Sequence, residues 1–202
     1  MTRIPAAVHK PTLGNLAKRL AAQDRCRYSR RYAANSYLLP RERTMTSLTL
    51  ALYQPDIPQN AGAMLRTCAC LGVSAAIIGP AGFPTSDRDF RRAGMDYLDH
   101  VTIDRHGSFA AFQAWRAASG QAGESRRLLL LSTRAAGSYL DCDYRAGDIL
   151  LVGRESAGAP EEVHAAADLA LRIPMRPRMR SLNVAVAAAM VMGEALRQLR
   201  AL

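Results

Sequence analysis

From residue 48 onward, short apolar runs alternate with segments of helical period. Strands are expected over residues 48–53 (LTLALY), 74–79 (SAAIIG), 100–103 (HVTI), 127–132 (RLLLLS), 148–152 (DILLV) and 169–173 (LALRI). Most of these runs are apolar throughout rather than alternating, which is the pattern of strands covered on both faces. Helices are expected over 60–71, 86–93, 107–118, 160–167 and 181–200. Strand–helix alternation of this kind predicts an α/β fold, a mostly parallel sheet with helices on both faces. In such sheets ligands bind beyond the carboxyl ends of the strands. The loops 54–60, 153–160 and 174–183 are therefore where chemistry is expected.

The chain has 202 residues, 49% of them apolar and 22% charged. A chain of this length buries roughly 70% of its unfolded surface and needs no disulfide or metal to fold. The apolar run over 184–192 is far shorter than the about 20 residues of a membrane span, so a soluble, cytoplasmic protein is expected. The net charge of +10 is unevenly spread. Residues 1–44 hold ten Lys/Arg against two Asp/Glu, whereas residues 45–202 hold seventeen Arg against fifteen Asp/Glu. A basic extension, 1–44, thus precedes a nearly neutral domain, 45–202. The extension reads as a flexible phosphate-gripping arm, as a transit peptide, or as a dispensable segment ahead of a true start at Met45. Cys26, Cys68, Cys70 and Cys142 show no C-x-x-C spacing, and the four histidines show no ligand spacing, so no metal is expected. The cysteines read as small hydrophobes in a reducing compartment.

Each candidate loop admits a chemical and a plain reading. Asn60 opens the first helix as an N-cap, with Gly72 just beyond its end. Ala61, Met64, Leu65, Cys68 and Leu71 form its apolar face, while Gly62 and Arg66 lie opposite. Arg66 there is either a solvated surface arginine or a phosphate-binding group. The second loop, Gly153-Arg-Glu-Ser-Ala-Gly-Ala-Pro160, is neither a dinucleotide fingerprint nor a P-loop. Glycine lets a ligand lie against its backbone, and Glu155 either takes a substrate donor or is solvated. The third loop carries Arg176, Arg178 and Arg180 beside Ser181, a natural N-cap for the last helix, and an anion could use both.

Five segments in order resemble the SPOUT superfamily of S-adenosylmethionine-dependent RNA methyltransferases. More narrowly, they resemble its small tRNA 2′-O-methyltransferases of the wobble nucleotide, the TrmL or YibK-like family. They are Asn60-Ala-Gly-Ala-Met-Leu-Arg66, Arg91-Arg-Ala-Gly-Met-Asp-Tyr97, the second loop, Ile173-Pro-Met175 with Arg180-Ser-Leu-Asn183, and Glu194-Ala-Leu-Arg-Gln. The resemblance implies a deep C-terminal trefoil knot, which is otherwise unexpected because threaded chains are rare. It implies S-adenosylmethionine as cofactor, bordered by Leu131, Gly153, Ile173 and Ser181. It also implies a catalytic set of Arg66, Ser181, Asn60, Glu155 and Asn183, a tRNA anticodon stem-loop as partner, and a homodimer. Two departures are visible. Arg154 stands where the family often has proline, and Val186 where many members have a second asparagine.

The implied reaction is an in-line methyl transfer to a ribose 2′-hydroxyl, which is mainly positioning work. No histidine falls in the three loops, so a histidine base is not expected. Arg66 stays protonated, so it is expected to bind phosphate and stabilise alkoxide charge. Ser181 and Asn183 would orient ribose or cofactor, and Glu155 the substrate or a neighbouring loop. The alternatives are an rRNA 2′-O-methyltransferase of the same superfamily and a catalytically silent RNA-binding protein. Residues 182–192 are apolar nearly all round, so the last helix is expected to be covered by its own sheet on one side and a partner subunit on the other. The charge break at residue 44 yields a first prediction. A chain starting at Met45 should fold and keep most methyl transfer, as far-UV circular dichroism and a methylation assay would report. An insoluble or inactive truncation would contradict this.

Overall fold

Leu48, Leu50 and Leu52 point to one face of a sheet, and Ala51 and Tyr53 to the other, and each set enters its own apolar core. This split governs the architecture seen in a computed structural model, which describes residues 48–92, 97–119 and 126–201. The expected basic extension, 1–44, lies outside the described residues.

Seven strands form one sheet: β1 Thr49–Tyr53, β2 Ser74–Ile78, β3 Ile103–His106, β4 Leu128–Leu131, β5 Gly137–Ser138, β6 Ile149–Val152 and β7 Leu169–Arg172. Their spatial order is β3-β2-β1-β6-β4-β7-β5, and every pairing is parallel. Five α-helices flank them: α1 Pro58–Leu71, α2 Asp87–Arg92, α3 Phe109–Ala118, α4 Glu161–Ala166 and α5 Val184–Gln198. The first core joins Leu50, Leu129 and Leu150 to Met64, Leu65 and Cys68 of α1 and Val191, Met192 and Leu196 of α5. The second joins Ala51, Leu130 and Leu151 to Phe112 of α3 and Val163 of α4. The α/β class, the parallel sheet and the two covered faces thus match the alternation of the sequence. Each fully buried Leu contributes about 1.5–3 kcal/mol. Burial pushes the Cys68 thiol up to about 12, which leaves it an inert core residue; Cys70, by contrast, is exposed.

Several expected boundaries move. Helix α1 starts at Pro58 with Ile57 as its N-cap, so Asn60 is not the cap. Proline at the first helical position, with its φ already set, begins the helix nearly a turn earlier than the asparagine signal. Gly72 does end it, at φ 68°. The last helix starts at Val184, capped by Asn183 rather than Ser181. The third strand runs over 103–106 instead of 100–103, because residues Leu98–His100 form a 3₁₀ turn with Leu98 buried. This strand is only partly covered and lacks an apolar run, so its pattern is weak. Strand β5, two residues long, gave no pattern at all.

Arginines close the amino edge of the sheet. Buried Arg116 pairs with Asp168 and donates to the Ala166 carbonyl at 3.2 Å. Arg127 holds the buried Asp148 through two contacts, at 2.9 and 2.7 Å. On α5, Ala188 is buried against the chain's own sheet, while Val186 and Met190 are exposed. The carboxyl edge is left to the loops.

Candidate active site

The first loop leaves β1 through Gln54, whose φ is 43° and whose N–H donates to the Ile78 carbonyl at 2.8 Å. Left-handed backbone at a non-glycine residue costs about 1–3 kcal/mol and persists where its surroundings over-determine it. The turn delivers Asp56 to the second loop, 99 residues further along the chain. The Asp56 N–H donates to Glu155 Oε2 at 3.1 Å, and the Glu155 N–H donates back to Asp56 Oδ1 at 3.1 Å. The Ser156 hydroxyl donates to Asp56 Oδ2, and the Arg154 Nε lies 3.6 Å from that oxygen. Hydrogen bonding with Glu155, then with the Ser156 hydroxyl and the N–H groups of both residues, holds the Asp56 carboxyl well below the usual carboxylate range.

From Glu155 the chain of hydrogen bonds continues. Its Oε1 accepts from Asn60 Nδ2 at 3.2 Å, and Asn60 Oδ1 accepts from Asn183 Nδ2 at 2.9 Å. Asn183 Oδ1 then accepts from the N–H groups of Ala185, at 2.9 Å, and Val186, at 3.3 Å. Asn60 is free for this role because the helix begins upstream of it, at Pro58. One continuous network therefore ties the first, second and third loops together and ends at the N-terminus of α5.

The network forms one wall of a cavity of about 680 Å³ at the carboxyl edge. That volume lies within the roughly 300–1,000 Å³ of small-molecule sites. Its floor is apolar, with Leu131, Val152, Leu171 and Ile173 from the strand ends and Ala187 from α5. Asn60, Glu155, Ser181, Asn183 and Arg134 bring polar groups to it. Leu131, Gly153, Ile173 and Ser181, the residues expected at a cofactor, all line this one cavity. Gly153 has a further reason to be glycine, inside its own loop. A Cβ there would lie 2.6 Å from both Ala159 N and Gly158 C. The second loop folds back on itself through reciprocal Arg154 and Gly158 backbone bonds of 3.0 and 2.8 Å, with Gly158 at φ 69°. Gly153 is the seam of that closure.

Asn60, Glu155, Ser181 and Asn183 thus meet, and Arg66 does not join them. It is exposed on α1, outside the cavity lining, with its guanidinium carbon 4.7 Å from the centre of the Tyr97 ring. Arg176, Arg178 and Arg180 are exposed on the third loop, with Arg178 at φ 73°. Two lining or bracing residues escaped the sequence reading. Asp56 lay in a flagged loop, but nothing in sequence links it to a partner 99 positions away. His164 lines the cavity from α4, one helical turn beyond the second loop and outside the three loops searched for a base. Among the described residues, no cluster of three His, Cys, Asp or Glu side chains is placed to hold a metal.

The chain is similar to several known proteins. Residues 47–193 match the SpoU rRNA Methylase family. A protein of Beijerinckia indica named tRNA (cytidine(34)-2'-O)-methyltransferase is 69% identical over 153 residues, covering 76% of this chain and 92% of that protein. A solved structure described as "Structural insights into the 2-OH methylation of C/U34 on tRNA" superposes with a TM-score of 0.67 at 46% identity, covering 76% of this chain and 91% of the other. The SpoU methyltransferase AviRb from Streptomyces viridochromogenes, in complex with the cofactor AdoMet, gives a TM-score of 0.67 at 26% identity, covering 75% and 60%.

The Asp56–Glu155 pair carries a pH signature. A carboxyl held below its unfolded value of 3.8 contributes stability that is present above that value and lost as the pH falls through its folded value. Asp56→Ala should lower stability by about 1 kcal/mol near neutrality, and the gap from wild type should shrink in acid below about pH 4. Urea unfolding across pH 3–7 reads this directly. A gap that grows in acid would contradict it.

Proposed function

This chain belongs to the SpoU rRNA Methylase family, and from that membership we propose that it methylates the ribose 2′-hydroxyl of the wobble nucleotide of tRNA, cytidine or uridine at position 34. The observation that carries the reading is the single cavity at the carboxyl edge, walled by three loops that the Asp56–Glu155–Asn60–Asn183 network joins. The 69% identical relative, named for cytidine 34, favours tRNA over rRNA among family substrates. The intact polar network argues for an enzyme over a silent RNA-binding protein.

S-adenosylmethionine is the methyl donor, and when bound it supplies an electrophilic methyl on sulfonium. The cavity fits it in size and in character. Leu131, Val152, Leu171 and Ile173 offer apolar surface for the adenosyl part, and Asn60, Ser181, Asn183 and Glu155 offer polar groups for the rest. Glu155 is already tethered on both oxygens, so it serves as a fixed acceptor and a brace between loops. The role of the Arg66 guanidinium is to grip the substrate phosphate and stabilise charge developing on the 2′-oxygen. Arg176, Arg178 and Arg180 supply positive charge to the anticodon stem-loop.

Two further features belong to the proposal. The first is the trefoil knot. The position of β6 between β1 and β4, with α5 returning to the same face as α1, supports it. The second is a homodimer through α5. Val186 and Met190, one turn apart on α5, are 51% and 39% exposed, and Leu182 just ahead of the helix is 40% exposed, which supports an apolar patch covered by a second subunit. Because Arg66 stands outside its own cavity lining, a two-fold dimer also gives it a place at the partner's site. The compartment proposed is the cytoplasm, where the tRNA substrate resides.

The decisive test uses purified protein, S-adenosylmethionine with a labelled methyl group, and an anticodon stem-loop with cytidine at position 34. Label should enter this substrate and not the same stem-loop with 2′-deoxycytidine there. Equal labelling of both would overturn the 2′-oxygen as acceptor. Arg66→Ala should cut the rate roughly 10²–10³-fold while cofactor affinity by calorimetry stays near wild type. A comparable rate in the variant would remove Arg66 from the chemistry.

The dimer is tested at Met190 rather than at the buried Ala188, where a charge would disrupt the chain's own core. Met190→Glu should weaken self-association in light scattering and lower activity together. A wild-type chain that is monomeric and active at micromolar concentration would contradict the dimer.

A further inference from the structure

Arg66 carries a long flexible side chain on the exposed face of α1, and it has no hydrogen bond or ion pair among the described residues. A catalytic cation left free would spread over many rotamers. The contact that restrains it is the ring of Tyr97, 4.7 Å from centroid to guanidinium carbon. The backbone that carries this ring is itself well anchored. Tyr97 is the N-cap of the 3₁₀ turn Leu98–His100, its carbonyl accepts from the His100 N–H at 3.0 Å, and Leu98 beside it is buried in the core shared with α1. The turn thus bolts an aromatic plate to the same core that carries the arginine's helix. Tyr97 remains 41% exposed, so the edge of the paired guanidinium stays within reach of solvent. A guanidinium lying over an aromatic face keeps its N–H donors in its own plane and open to a ligand at its edge.

We propose that Tyr97 is the positioning residue for Arg66: its ring, stacked under the guanidinium, holds the arginine's donors in the geometry that binds the substrate phosphate and the reacting 2′-oxygen. The inference rests on the reading of Arg66 given above. The Arg91–Tyr97 segment is one of the five that carry the family resemblance, and this assigns its last residue a task. The ring acts through the arginine and touches neither the cofactor nor the reacting atoms.

The test is steady-state methyl transfer to an anticodon stem-loop by Tyr97→Ala, Tyr97→Phe, Arg66→Ala and the double variant, with cofactor affinity measured by calorimetry on each. Tyr97→Ala should lower kcat roughly tenfold, with a smaller change in KM and unchanged cofactor affinity. Tyr97→Phe keeps the ring and should restore kcat. The double variant should be no slower than Arg66→Ala alone, because the plate has nothing left to hold. Wild-type kcat in Tyr97→Ala, or a Tyr97→Phe as impaired as Tyr97→Ala, would overturn the proposal. So would a double variant slower than Arg66→Ala by the full Tyr97→Ala factor. An Arg66→Ala chain of full activity would instead overturn the reading of Arg66 itself, whatever Tyr97 does. Should Tyr97→Ala lose cofactor affinity through misfolding, the comparison passes to Tyr97→Leu against Tyr97→Phe, where equal kcat would overturn the proposal and a Phe-only rescue would support it.

Discussion

The site rests on a reciprocal pair of hydrogen bonds between Asp56 and Glu155, each donating its backbone N–H to the other's carboxylate at 3.1 Å. A parallel sheet covered on both faces has no room for ligand chemistry except at its carboxyl edge. The loops that meet there come from strands nearly a hundred residues apart, and the sheet alone does not fix where their tips lie. The carboxylate clamp does. Through Asn60 and Asn183 it extends to the first turn of α5, so one hydrogen-bonded line sets the first, second and third loops relative to one another. Asp56, Asn60 and Glu155 are half-buried, and all four carboxylate oxygens of Asp56 and Glu155 accept a hydrogen bond, which is what makes a polar network stabilising rather than costly.

The two edges of the sheet divide the work. At the amino edge, Arg116 with Asp168 and Arg127 with Asp148 fasten strand starts to their neighbours. At the carboxyl edge, unusual backbone gathers instead: Gln54 and Arg178 at positive φ, and a glycine seam at Gly153. Unusual backbone at ligand loops and fastened polar pairs on the opposite edge are what a rigid scaffold presenting a preorganised site requires. The basic character of the domain follows the same division. Several arginines of the nearly neutral body are structural, while Arg176, Arg178 and Arg180 stand exposed together on the third loop.

Much of this was legible in the residue pattern. Continuous apolar runs such as LLLL at 128–131 announced strands buried on both faces, and the loops after them held Asn60, Glu155, Gly153 and Ser181. What the pattern could not carry was anything that depends on long-range pairing. Asp56 reads as an ordinary loop acid until Glu155 is beside it. Asn60 has every mark of an N-cap, yet Pro58 starts the helix earlier and frees its amide for the site. Ser181 lost its cap role to Asn183 for a comparable reason, since the helix waits until Val184. Gly153 reads from sequence only as an approach point for a ligand; that the backbone of residues 158–159 also demands glycine there depends on how the loop closes. The third strand was misplaced because a partly covered strand need not be apolar, and a buried Leu98 nearby mimics one.

The account's central claim is that this loop-built cavity serves methyl transfer to one ribose in the anticodon. Nucleoside mass spectrometry of position-specific tRNA fragments, from cells with and without this protein, measures that directly. The account predicts that 2′-O-methylation at position 34 disappears without the protein and returns with the wild-type chain, while methylation elsewhere in tRNA and in rRNA is unchanged. Position 34 remaining fully methylated, with the loss appearing in rRNA instead, would contradict it.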